Sequence, residues 1–184
     1  MTVGHVEKGG ACHVGEGVTC AVFSKNATGI DLCLFAPDGR TEAARGPRPQ
    51  RTGPVWHGYV SGLPVGSHYG FRAHGMYAPE QGHRFNPNKL LLDPYTRELS
   101  GDWVDHPATL GFDKTSSGLD LSFDSRDSAP FVPKSIVSDP ELFRPVARDR
   151  VIERDACLIY EAHVQGLTQL HPGVDDRLRR TYEG

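Results

Sequence analysis

Glu161 and His163 are the first residues in this chain to suggest reactivity. They stand two apart in LIYEAHV (158–164), so on a strand they share one face. A carboxylate beside an imidazole can hold or pass a proton. Acid–base hydrolysis of an acetal uses two carboxyl groups, however, and this segment has one. Glu161 therefore reads as a structural carboxylate with His163 as its partner. Metal chemistry has no better footing. His5 and His13 lie among glycines with no third ligand near, and Cys12, Cys20, Cys33 and Cys157 lack paired spacings. There is no GxSxG, no HExxH and no glycine-rich phosphate loop. These residues predict no catalytic site, metal or cofactor within the chain.

Residues suited to binding are more plentiful. Trp56 and Trp103 are the only tryptophans, with Tyr59, Tyr69, Tyr77 and Tyr95 close to them in sequence. Aromatic faces stack on apolar rings, although in a sandwich large aromatics usually fill the core. His83, Arg84, Asn86, Asn88 and Lys89 fall inside YGFRAHGMYAPEQGHRFNPNKLLLDPY (69–95). That stretch opens with strand-like alternation, breaks into a turn-rich loop and closes on Leu90, Leu91 and Leu92. A polar loop anchored at both ends is typical of binding or docking.

The elements that must position these residues are short strands. The chain has 184 residues, 38% of them hydrophobic, with 21 Gly and 14 Pro, a mix that favours strands and turns over long helices. Gly17–Phe23 alternates Val18, Cys20 and Val22 against Thr19, Ala21 and Phe23, and Ile30–Phe35 follows a turn at 24–29. These two are expected to be antiparallel neighbours. Residues 1–16 read as an irregular lead-in, and 43–54, with Arg45, Arg48 and Arg51, as a solvated loop. Val55–Val60 is a further strand. Spacings of about ten residues between strands predict an immunoglobulin-like β-sandwich. Between 100 and 149 the prolines break every longer pattern, while Trp103, Phe112, Phe131, Leu142 and Phe143 argue for order. This segment reads as an ordered connection lying against a neighbouring domain. LIYEAHV reads as a strand buried on both faces.

The net charge of −3 argues against nucleic-acid or acidic-membrane partners. The amino terminus lacks the apolar core of a signal peptide, and no run reaches membrane-spanning length. With reduced cysteines, this predicts a cytoplasmic protein.

WHGYVSGLPVGSHYGFRAHGMYAPEQGHRFNPNKLLLDPY (56–95) resembles the amino-terminal module of bacterial glycogen debranching enzymes and isoamylases. GVTCAVFSKNATGIDLCLF (17–35), DSAPFVPKSIV (127–137) and LIYEAHVQGLTQLHPGV (158–174) resemble other parts of the same proteins, in the same order. VIERDAC (151–157) stands where those enzymes commonly carry a tryptophan-containing segment. The resemblance implies a glycoside hydrolase of family thirteen that hydrolyses α-1,6 branch linkages in glycogen or limit dextrin. Isoamylase-type and trehalose-pathway relatives share the module. The resemblance further implies a carbohydrate-binding module over 1–104, a linker over 105–154 and the start of a (β/α)8 barrel over 155–184. Leu158–Val164 would be the first barrel strand. A whole barrel takes roughly 250 residues, so this one would be incomplete. The family's aspartate nucleophile, glutamate acid and second aspartate lie on later strands, so the chain alone is expected to be inactive. Trp56 and Trp103 are then the candidate α-glucan contacts. His83, Arg84, Asn86, Asn88 and Lys89 would dock the module on the missing barrel. The alternatives are a stand-alone α-glucan-binding module or an inactive truncation.

Overall fold

The structure is a computed structural model and describes residues 9–46, 50–139 and 153–184. His5, Arg48, Leu142 and Phe143 lie outside the described residues. The chain divides into two compact units, 1–144 and 145–184.

The first unit is built on two antiparallel sheets. One has the order β1-β2-β6-β5, from Gly10–Val14, Gly17–Phe23, Val55–Ser61 and Gln50–Thr52. The other runs β10-β11-β7-β3-β4, from Leu99–Ser100, Lys134–Ile136, His68–His74, Gly29–Phe35 and Glu42–Arg45. A small ribbon, β8 (Tyr77–Ala78) with β9 (His83–Arg84), stands apart. The long pairings are β2 with β6, from Gly17↔Ser61 to Phe23↔Val55, and β3 with β7, from Gly29↔His74 to Phe35↔His68.

Side-chain alternation explains how the sheets meet. Val18, Cys20 and Val22 of β2 and Trp56 of β6 face Ile30 and Leu32 of β3 and Tyr69, Phe71 and Ala73 of β7, with Val137 completing the cluster. The opposite phase of β3 is buried too. Cys33 and Phe35 pack with Leu90, Ala129 and Val132 in a second cluster. The sheet containing β3 is therefore covered on both faces, by its partner sheet and by the segment that follows β7. Gly70 leaves room for this second layer, because a Cβ there would stand 2.8 Å from Leu90 Cδ1 and 3.2 Å from the Leu91 carbonyl oxygen.

Five expectations are corrected. Consecutive strands β2 and β3 are not neighbours: each pairs within its own sheet, since a β-strand's period says which residues share a face and nothing about which strand lies beside it. Gly10–Val14, read as part of an irregular lead-in, forms a tight hairpin with β2, with Val14 opposite Gly17. The arginine-rich stretch 43–54 contributes two edge strands, β4 and β5, and exposed edges tolerate such charge. Residues 100–137, read as a connection, are part of the first unit. They pack on the sandwich, and their Lys134–Ile136 is inserted between β10 and β7.

The fifth correction concerns the second unit. Leu158–Val164 forms no strand. Leu158, Ile159 and Tyr160 are 94%, 90% and 79% exposed, and among the described residues here the only α-helix is the single turn α1, Val164–Leu167. A parallel strand depends on hydrogen-bonded neighbours, and among the described residues no strand pairs with it. Thr168 is buried within this unit and its hydroxyl accepts from the Arg180 amide at 3.1 Å.

Candidate functional site

A cleft of about 720 Å³ opens at one end of the sandwich, within the range of roughly 300–1,000 Å³ usual for ligand sites. One wall is the end of β2 and the turn after it, with Phe23 and Asn26. The opposite wall is the 77–94 loop, with His83, Phe85 and Leu91. Phe23 is 61% exposed and Leu91 45% exposed, so apolar surface faces the opening. Phe23 is on the outward phase of β2 and ends the strand, and that position is why its ring is free.

Residues 105–126 supply the third wall, through Thr109, Gly111 and Phe112. They close on themselves: the Asp124 amide donates to the Gly111 carbonyl at 3.1 Å, and the Asp113 amide to Ser122 Oγ at 3.0 Å. This strap is held to the loop by the loop's side chains. Asn86 Nδ2 donates to the carbonyls of Asp124 at 2.7 Å and Gly111 at 3.3 Å. Lys89 Nζ donates to the Ala108 carbonyl at 2.8 Å, the Arg126 carbonyl at 2.8 Å and Asp124 Oδ1 at 3.1 Å. Tyr77 donates its hydroxyl proton to the Ser122 carbonyl and meets Phe123 edge-on at 4.9 Å. Arg84 pairs with Asp120 at 3.1 Å on the surface.

The residues singled out in the sequence are thus scattered in role. Asn86 and Lys89 are buried and engaged by the strap, Asn88 hydrogen-bonds Asn86, and Arg84 is exposed. His83 lines the cleft, half-buried. Trp56 is a core residue: it is 7% exposed, and its Nε1 donates to the Ser24 carbonyl at 2.9 Å. Of the two tryptophans only Trp103, 61% exposed, presents its ring to solvent. Glu161 and His163 are both exposed, and no hydrogen bond joins their side chains among the described residues. Sequence reasoning passed over Phe23 and Asn26, although the phase of β2 already set Phe23 apart from Val18, Cys20 and Val22.

Two buried carboxylates hold this region together with opposite electrostatic sense. Asp124 is held well below the usual carboxylate range by Arg126 first, with Lys89 adding to it. Asp93, which accepts from the Tyr69 hydroxyl at 2.7 Å and the Tyr95 amide at 2.8 Å, is pushed up by burial. A lowered folded value means that Asp124 stabilises the fold above the unfolded carboxylate value, and that this is lost as pH falls through the folded one. A raised value means that the folded state keeps its proton longer, so Asp93 costs stability as pH rises from the unfolded value to the folded one. Asp124→Asn should therefore lower the urea midpoint at pH 7, with the deficit closing in acid below about pH 4. Asp93→Asn should leave the pH 7 midpoint unchanged or higher. Equal losses at pH 7 would contradict this assignment.

Comparison with known proteins fits this architecture. Residues 8–96 match the family model of carbohydrate-binding module 48, described as the isoamylase N-terminal domain. The match takes in β1 to β9 of the first unit. All 184 residues align with the glycogen debranching enzymes of Salmonella typhi and Salmonella heidelberg at 44% identity. The chain spans about a quarter of those relatives' length, 27% and 26% respectively. Among solved structures, the multi-modular glycogen-degrading pneumococcal virulence factor SpuA covers 95% of the chain at TM-score 0.55 and 20% identity, the match taking in 16% of SpuA. The Group B Streptococcus pullulanase SAP covers 95% at TM-score 0.54 and 18% identity, over 20% of its own chain. These two establish likeness of fold. The module 48 match ends at residue 96, whereas the sandwich as folded includes β10, β11 and Val137. No helix among the described residues is long and apolar enough to cross a membrane.

Proposed function

We propose that this chain is the amino-terminal part of a cytoplasmic debranching enzyme that hydrolyses α-1,6 branch linkages in glycogen or limit dextrin. The observation that carries this reading is the 44% identity to glycogen debranching enzymes across every residue of the chain. In the longer protein, residues 155–184 begin the catalytic barrel. Leu158–Val164 becomes a strand once neighbouring barrel strands satisfy its backbone and cover Leu158, Ile159 and Tyr160. The catalytic carboxyl groups belong to the part beyond this chain, so residues 1–184 alone are inactive.

The cleft is the α-glucan contact in this reading. Phe23 offers an aromatic face for the apolar side of a glucose ring, and Asn26 and His83 supply polar groups for its hydroxyls. Trp103 is a second exposed face. Affinity electrophoresis through glycogen and titration with maltoheptaose test this. The chain should be retarded, and Phe23→Ala should weaken binding roughly tenfold, a loss of about 1.4 kcal/mol of apolar contact. Unchanged binding in Phe23→Ala with loss in Trp103→Ala would move the contact to Trp103. Absence of binding in the wild-type chain would leave the module with a purely architectural role. For the full-length enzyme, release of linear chains from limit dextrin tests the hydrolytic assignment.

A further inference from the structure

We propose that residues 105–126 are an adjustable wall of the cleft, with Lys89 and Asn86 as the positioning residues that set it. The inference rests on the cleft being the α-glucan site, and adds how that site is shaped. A wall made from a sheet would be fixed by ladder hydrogen bonds. This one has none: among the described residues no backbone–backbone hydrogen bond joins 105–126 to the strands or to the 77–94 loop. Its attachments there are the side chains of Tyr77, Arg84, Asn86 and Lys89. The strap is also internally closed between Gly111 and Asp124, so it can shift as a body without unravelling.

The attachments are concentrated at one place. Lys89 Nζ directs its three hydrogen bonds to Ala108, Asp124 and Arg126, spanning both ends of the strap. Asn86 grips Gly111 and Asp124, the two residues that close it. Lys89 and Asn86 also line the cleft themselves, as do Gly111 and Phe112 of the strap. One cluster therefore touches both the ligand space and the wall. The start of the strap is anchored by His106 stacked on Phe131 at 3.7 Å, whereas its tip is lightly held: Leu119 and Leu121 are 59% and 55% exposed, and the Arg84–Asp120 pair lies on the surface. A ligand that fills the cleft against Phe112 then favours the latched position, and a loosened latch reduces affinity.

Hydrogen exchange on the 184-residue chain, with and without maltoheptaose, reads this directly. Amides in 105–126 should gain protection on binding, while β2 and β6 remain as they were. Lys89→Met should weaken maltoheptaose binding about fivefold or more and raise exchange across 105–126. Exchange in β3 and β7 should stay at the wild-type level, which a general loss of stability would not allow. Should Lys89→Met fail to fold, Asp120→Ala decides, since Asp120 does not line the cleft and its loss removes the side-chain pair with Arg84; it should still raise exchange around residue 120 and weaken binding measurably. Binding that depends on Phe23 yet leaves 105–126 unchanged would overturn the wall and leave the cleft standing. No binding, or binding indifferent to Phe23→Ala, would remove the cleft reading and the wall with it.

Discussion

Replacing Arg72 with alanine should cost the sandwich about 3 kcal/mol, read as a drop in urea midpoint at unchanged slope. Arg72 is 1% exposed and sits on the β7 face turned towards the second layer. Its Nη2 donates to Glu42 Oε2 at 2.9 Å and to both Asp127 oxygens, at 2.9 and 3.1 Å, while Nη1 donates to the Pro87 carbonyl at 3.1 Å. One side chain thus joins β4, the 77–94 loop and the chain beyond the strap. Removing one partner of a buried ion pair typically costs ~3–5 kcal/mol. The lower end applies here because the Asp127 side chain is 54% exposed and can recover water. Glu42 also keeps its 2.7 Å bond from Arg45. Asp127→Asn should accordingly cost no more than about 1 kcal/mol. Similar losses for the two variants would mean that the acids, and not the guanidinium, are the hub.

Phe71→Ala should be at least as damaging, at about 3–5 kcal/mol. Phe71 is 3% exposed, contacts Tyr69 edge-on at 5.9 Å and is opposite Leu32 in the β3–β7 ladder. On its other edge its amide donates to the Leu91 carbonyl at 2.9 Å, and its own carbonyl accepts from the Leu91 amide at 2.8 Å. The main chain is therefore fixed on both sides and cannot collapse into the space left by the ring. Phe71 also borders the cleft, so the new void would join it. Thermal unfolding measures the loss. A change below about 1 kcal/mol would show that neighbouring side chains fill the hole.

Both variants test contacts that sequence reading reaches only in part. The strands were legible because period-two alternation is local: Gly17–Phe23, Ile30–Phe35, Val55–Val60 and the start of 69–95 all lie within observed strands. Their arrangement was not legible, since the pairing of β2 with β6 across the intervening strands depends on packing between distant segments. Lys134–Ile136 is three residues long amid prolines, too short to show a period, and only its slot between β10 and β7 makes it a strand. The sequence places the buried lysine and asparagine on an anchored polar loop but does not show their partners, which lie 19 to 38 residues onward. Phe23 was missed because its exposure follows from its place at a strand end above a cleft.

The insertion of β11 between β10 and β7 also has a consequence during synthesis. The strand that completes the second sheet, and Val137 that seals the core, are among the last parts of the sandwich to be translated. Until they emerge, β7 has an open edge where Tyr69 and His68 await Ser135 and Ile136. The nascent chain therefore carries an unfinished, adhesive sheet for the whole time that the strap is being made. Chaperone capture and arrest-peptide force should both change at the moment residue 137 clears the ribosome, not at the end of the module 48 match.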